Sequence, residues 1–229
     1  VSLASPNHGE RRGGALPSLI VLHYTAMPTV AEARARLCDP VAEVSAHWLI
    51  SEAGQAEPLV AEDRRAWHAG AGEWAGITDV NSHSIGIELA NRGDHPFAAA
   101  QMAALEELLA DLMARWSIPP HRVIAHSDMA PARKADPGPR FDWHRLARQG
   151  LSVWPQAQTP ALPSEDDFLR AAHAFGYPVP DGRITCADLL RAFRLRFRPW
   201  ARGPLDGTDV ALAQNLATRF PVDLRGAGA

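Results

Sequence analysis

SIGIELANRGDHPFAAAQMAALEELLADLMARWSIPPHRVIAH, residues 84–126, carries three elements in succession. SIGIEL (84–89) alternates and is β-branched, which predicts a strand. From 98 to 116, Met102, Leu105, Leu108, Leu109, Leu112, Met113 and Trp116 recur at three- and four-residue spacing, the stripe of an amphipathic helix, and Pro119-Pro120 lies just beyond its end. RVIAH (122–126) reads as the next strand. Upstream, LIVLH (19–23) is a short apolar run suited to a buried strand, and TVAEARARLCDP reads as a helix with Thr29 as N-cap and Asp39-Pro40 as its stop. SAHWLI (45–50) and AEPLV (56–60) flank SEAGQ, a glycine-containing turn, and predict a hairpin. Strands alternating with helices imply an α/β fold, a central mixed β-sheet flanked by helices.

Downstream, PARKADPGPRF (131–141) must be a loop, because three prolines and a glycine leave no room for a regular element. FDWHRLARQ reads as a closing helix. WPQAQTPALPSE (154–165) has the composition of a linker. Beyond it, DDFLRAAHAFGY, TCADLLRAFRLRF and TDVALAQNLATRF are apolar-periodic segments separated by Gly/Pro turns. The expected organisation is a catalytic domain over 1–153, a linker over 154–164 and a small three-helix domain over 165–229.

Charged residues make up 21% and apolar ones 46%, the mix of a folded globular chain, and a net charge of -3 leaves no basic stripe for a nucleic-acid partner. No stretch has the length and apolarity of a transmembrane segment or signal peptide. The expectation is a cytoplasmic protein, or a periplasmic one if a leader precedes Val1. No protein partner is evident. Cys38 and Cys186 are far apart and belong to no CxxC, so isolated thiols are expected rather than a bridge.

Three side chains are placed where a sheet gathers residues from distant sequence. His23 ends the first strand, His126 ends a later one, and Asp136 lies in the Pro-rich loop ten residues on. Two imidazoles and a carboxylate suit zinc, and three protein ligands leave a fourth position for a water. Ten histidines in the chain mean that composition alone decides nothing, and any one of the three could be an ordinary strand-end residue.

The segments VLHYT, SAHWLI, RAWHAG, NSHSIGIELAN and HSDMAPARKADPGPRFDW span residues 21–143 in a fixed order. In them the chain resembles the zinc-dependent N-acetylmuramoyl-L-alanine amidases of the AmpD/AmiD type, relatives of phage amidases and of peptidoglycan recognition proteins. The resemblance implies that His23, His126 and Asp136 bind one Zn2+, that Glu88 is the catalytic acid/base, and that Lys134 faces the scissile carbonyl. A carboxylate beside zinc can move the proton of the attacking water. An ammonium can hold a developing oxyanion. Lys134 is the one lysine in the sequence, the other Lys/Arg residues all being Arg, so a point charge is kept where arginine is the habit. Phage-type members have a tyrosine before the histidine of SAHWLI. Here Ala46 stands there, so the chain follows the Glu/Lys pattern.

By the same resemblance His47, Trp67, His68, Asn81 and Ser84 are expected to bind substrate or to support the residues that do. Trp74 is a candidate for stacking on sugar or for the core. The C-terminal segment resembles the helical peptidoglycan-binding module of AmiD-like enzymes, with a structural cap as the alternative. The implied activity is cleavage of the amide between N-acetylmuramic acid, or its 1,6-anhydro form, and L-alanine in peptidoglycan or muropeptides. The rival readings are a noncatalytic zinc-containing muropeptide-binding protein and a zinc peptidase acting within the stem peptide.

Overall fold

The computed structural model describes residues 5–156 and 159–222. In chain order, β1 (His8–Glu10) precedes β2 (Leu19–Tyr24) and α1 (Val30–Leu37), and β3 (Trp48–Ile50) and β4 (Ala56–Pro58) form the hairpin. Next come β5 (Arg64–Ala66), α2 (Val80–His83), β6 (Ser84–Leu89), α3 (Ala99–Trp116), β7 (Val123–Ala125), α4 (His126–Met129) and α5 (Trp143–Arg148). The last helices are α6 (Glu165–Phe175), α7 (Cys186–Phe197) and α8 (Gly207–Arg219). Thr29 caps α1 by accepting from the Glu32 N–H, as its position in the sequence predicts.

The main sheet has the order β4-β3-β6-β2-β7. β2 runs parallel to both β6 and β7, β3 runs parallel to β6, and β4 pairs antiparallel with β3, which makes the sheet mixed. The inner position of β2 explains its unbroken apolar run, since a parallel strand with both faces covered has no polar side. Ile20 and Leu22 pack with Ile85, Ile87 and the apolar stripe of α3. Leu19 and Val21 point the other way and share a core with Phe168, Phe175, Phe193 and Phe197 from α6 and α7. One sheet face is therefore covered by α3 and the other by the C-terminal helices. Trp154 packs against both cores, and Ala161 donates its N–H to the Gly207 carbonyl at 2.9 Å. Part of the segment read as a linker, residues 157 and 158, lies outside the described residues.

Two features depart from the sequence expectations. RVIAH is a strand only over Val123–Ala125, and His126 opens α4 instead of closing the strand. The cause is local: the Asp128 carboxylate accepts the Ala125 N–H at 2.9 Å and turns the chain. A second sheet, β1 with β5, has strands too short to leave a periodic signature. Beside it the Arg11 guanidinium donates to the carbonyls of Ser82 at 2.7 Å, Glu62 at 2.7 Å and Ser84 at 3.1 Å, tying the N-terminal segment to the start of β6. Cys38 and Cys186 are free thiols, half-buried rather than enclosed.

Candidate metal centre

Period-two alternation puts His23 on the same sheet face as Leu19 and Val21, one residue from the end of β2. Glu88 is its register partner on β6, and His126 follows directly on β7. Three neighbouring parallel strands thus deliver a functional side chain at their carboxyl ends, where open α/β sheets place ligands. The loop after α4 brings back Asp136. His23 Nδ1 and His126 Nδ1 are 2.9 Å apart, and they lie 3.0 and 2.9 Å from Asp136 Oδ2. All three residues are buried.

The outer hydrogen bonds fix which ring nitrogens carry protons. Ser84 Oγ donates to the Val80 carbonyl at 2.6 Å, so toward His68 Nε2, 3.2 Å away, it must accept. Neutral His68 then has a lone pair on Nδ1, which takes the Nε2–H of His23 at 3.0 Å and leaves His23 Nδ1 unprotonated. His126 donates its Nε2–H to the Ala69 carbonyl at 2.9 Å, which frees its Nδ1 in the same way. Two lone pairs and a carboxylate oxygen face one another with no proton among them, an arrangement that repels unless a cation sits between. Burial, with His126 nearby, pushes the His23 imidazole down to about 4, so it stays neutral. Two nitrogens and one oxygen supplied this way, each imidazole oriented through its other nitrogen, suit a metal ion with a further position left open.

The cluster lines an open cleft of about 500 Å³ that Trp67, His68, Glu88 and Lys134 also line. Glu88 has a buried Oε2 with no hydrogen-bond partner among the described residues. Burial, then the Asp136 charge, pushes its carboxyl up to about 8, while the Lys134 ammonium pulls the other way. Tyr24, Arg36 and Arg133 line the same cleft and were missed in the sequence, although Tyr24 and Arg133 adjoin His23 and Lys134.

Of the five residues expected to bind substrate or to support those that do, three take the supporting position. His47 is fully buried: its Nδ1 accepts from the Gly86 N–H at 2.9 Å and its Nε2–H donates to the Arg64 carbonyl at 3.0 Å. Asn81 uses its Oδ1 to accept the N–H groups of His68 and Ala69, at 3.1 and 2.9 Å. Ser84 is buried behind His68. These three hold the cleft wall and do not line the cleft. Trp74 is a core residue, fully buried and edge-on to Phe175 and Tyr177.

Residues 13–139 match the family described as N-acetylmuramoyl-L-alanine amidase. The chain belongs to this family. Among the amidases, AmiD of Escherichia coli K12 is 37% identical over 236 residues, covering 90% of this chain and 84% of AmiD. AmpD of Enterobacter cloacae is 34% identical over 159 residues, covering 62% of this chain and 85% of AmpD. The structure of E. coli AmiD in complex with the substrate anhydro-N-acetylmuramic acid-L-Ala-D-γ-Glu-L-Lys matches with a TM-score of 0.83 at 35% identity, over 95% of this chain and 99% of that one. AmpDh3 of Pseudomonas aeruginosa in complex with anhydromuramic pentapeptide matches with a TM-score of 0.80 at 32% identity, over 96% of each chain. Likeness over that much of the chain takes in the C-terminal helices as well as the sheet.

Proposed function

We propose that this amidase hydrolyses the amide joining the lactyl group of N-acetylmuramic acid to L-alanine in muropeptides, with one zinc ion held by His23, His126 and Asp136. The observation that carries the reading is the juxtaposition of three proton-free ligand atoms with an unpartnered carboxyl, Glu88, in one cleft. The family membership and the muropeptide complexes of AmiD and AmpDh3 support the substrate class.

Bound zinc supplies Lewis acidity, polarising a carbonyl and bringing the pKa of a water to about 7. Glu88 is the base that takes a proton from the attacking water. As the carbon–nitrogen bond breaks, Glu88 returns that proton to the alanine nitrogen, so the products are the muramyl carboxylate and a free stem peptide. Lys134 contributes a fixed positive charge to the cleft wall and offsets charge growing on the lactyl oxygen. Trp67 and His68 also line the cleft, and His68 holds His23 in the productive tautomer.

The test is mass analysis of products after incubation of the zinc-loaded protein with anhydro-muropeptide and, in parallel, with intact peptidoglycan. Release of an intact stem peptide beginning with L-alanine, lost on chelation and restored by zinc, is the expected result. Cleavage inside the stem peptide would instead make the chain a peptidase, and zinc binding without cleavage would make it a muropeptide-binding protein.

A further inference from the structure

Asp128, two residues beyond His126, is fully buried and has three partners. Its Oδ2 takes the Ala125 N–H that closes the turn of α4, and also Arg196 Nη1 at 2.6 Å. Its Oδ1 accepts the Tyr177 hydroxyl at 2.6 Å. Arg196 lies on α7 and Tyr177 just after α6, so both reach α4 from the C-terminal helices. The other arm of Arg196 donates to the Val123 carbonyl at 2.9 Å and to Ser152 Oγ at 3.2 Å, and the guanidinium lies 4.4 Å from the centre of the Trp143 ring. An ion pair this deep adds little net stability over an apolar pair of similar volume. The apolar faces of α6, α7 and α8 already bury themselves against the sheet. The buried charges instead define one position for the turn they hold, and that turn carries His126. It also carries the Ser127 N–H, which donates to the Asp136 carbonyl at 3.0 Å, so a second ligand is tied to the same turn.

We infer that Arg196 and Tyr177 are positioning residues for the metal centre: through Asp128 they fix the turn that aims His126 Nδ1 at the ion. The C-terminal helices are on this view part of the metal site's support. The inference rests on the assignment of His126 as a metal ligand.

The experiment compares full-length wild type, Arg196→Met, Tyr177→Phe and a control, Arg194→Met. Arg194 sits on the same helix and is paired at 2.5 Å with buried Asp209, but makes no hydrogen bond to α4. Zinc affinity is read by competition with a chromophoric chelator, coordination by the visible spectrum of the cobalt(II) form, and folding by circular dichroism. Arg196→Met is expected to weaken zinc binding at least about tenfold, in the range for residues that orient metal ligands, and to change the cobalt spectrum. Tyr177→Phe shifts both in the same direction by less, and decides the matter if Arg196→Met does not fold. Arg194→Met lowers the melting temperature yet leaves affinity and spectrum as in wild type. Unchanged affinity and spectrum in folded Arg196→Met and Tyr177→Phe would overturn the inference alone, as would equal losses in Arg194→Met. A wild-type protein that binds no stoichiometric metal would instead remove the ligand assignment beneath it.

Discussion

Replacing Gly86 by alanine would place a methyl group 2.3 to 2.6 Å from three ring atoms of His68. The β6 backbone at this point is locked, because the Gly86 carbonyl accepts from the His47 N–H at 3.0 Å and its N–H donates to His47 Nδ1 at 2.9 Å. The ring must therefore move, by about 1 Å to regain ordinary contact at 3.4 Å. A displacement of that size breaks the 3.0 Å hydrogen bond from His23 Nε2–H and the 3.2 Å bond to Ser84. The strain costs about 1–3 kcal/mol of stability. The larger effect falls on the metal, because His23 loses the partner that keeps its Nδ1 free, and affinity should drop ~10–100-fold. Chelator competition measures the affinity and urea denaturation of the apo form the stability. A folded Gly86→Ala protein that binds zinc as tightly as wild type would refute the relay from Val80 through Ser84 and His68 to His23.

Glu88→Gln removes the proton acceptor while keeping shape, so kcat should fall about 10²–10⁴-fold with zinc still bound at one per chain; full turnover would remove Glu88 from the mechanism. One contribution to the pH dependence of stability comes from His47, which burial pushes down to about 3, against 6.5 when unfolded. Between those values the unfolded chain binds the extra proton, so this contribution is complete above pH 6.5 and is lost as pH falls, by at most about 1.4 kcal/mol per pH unit. Urea titrations of the apo protein at pH 7.5, 6 and 5 should show that decline, and His47→Gln should flatten it by about one proton.

Much of this site was legible because its residues lie at the ends of strongly patterned elements. SIGIEL forms a strand over its whole length, the α3 stripe appears within one residue of its expected start, and the strand around LIVLH delivers His23 to the sheet rim. The Pro-rich loop could be recognised as irregular, which left Asp136 free to turn back toward the histidines. Supporting residues were harder to separate from substrate contacts. His47, Asn81 and Ser84 sit near the cleft in sequence, but burial depends on pairings across 10 to 40 positions that no local pattern records. The Asp128–Arg196 pair joins residues 68 apart. Its one trace is an arginine beside Phe197 in FRLRF, among the apolar positions of α7, where a solvated helix would carry its charges elsewhere.

The margins of the main sheet carry a consequence of their own. An unpaired strand edge is a template for another chain, and long flat edges invite aggregation. Here both outer strands, β4 and β7, are three residues long. β4 ends in Pro58, which has no N–H to offer, and on β7 the Val123 carbonyl is already occupied by Arg196. The arginine that braces the turn carrying His126 also occupies a carbonyl of this outer strand that an added strand would otherwise use.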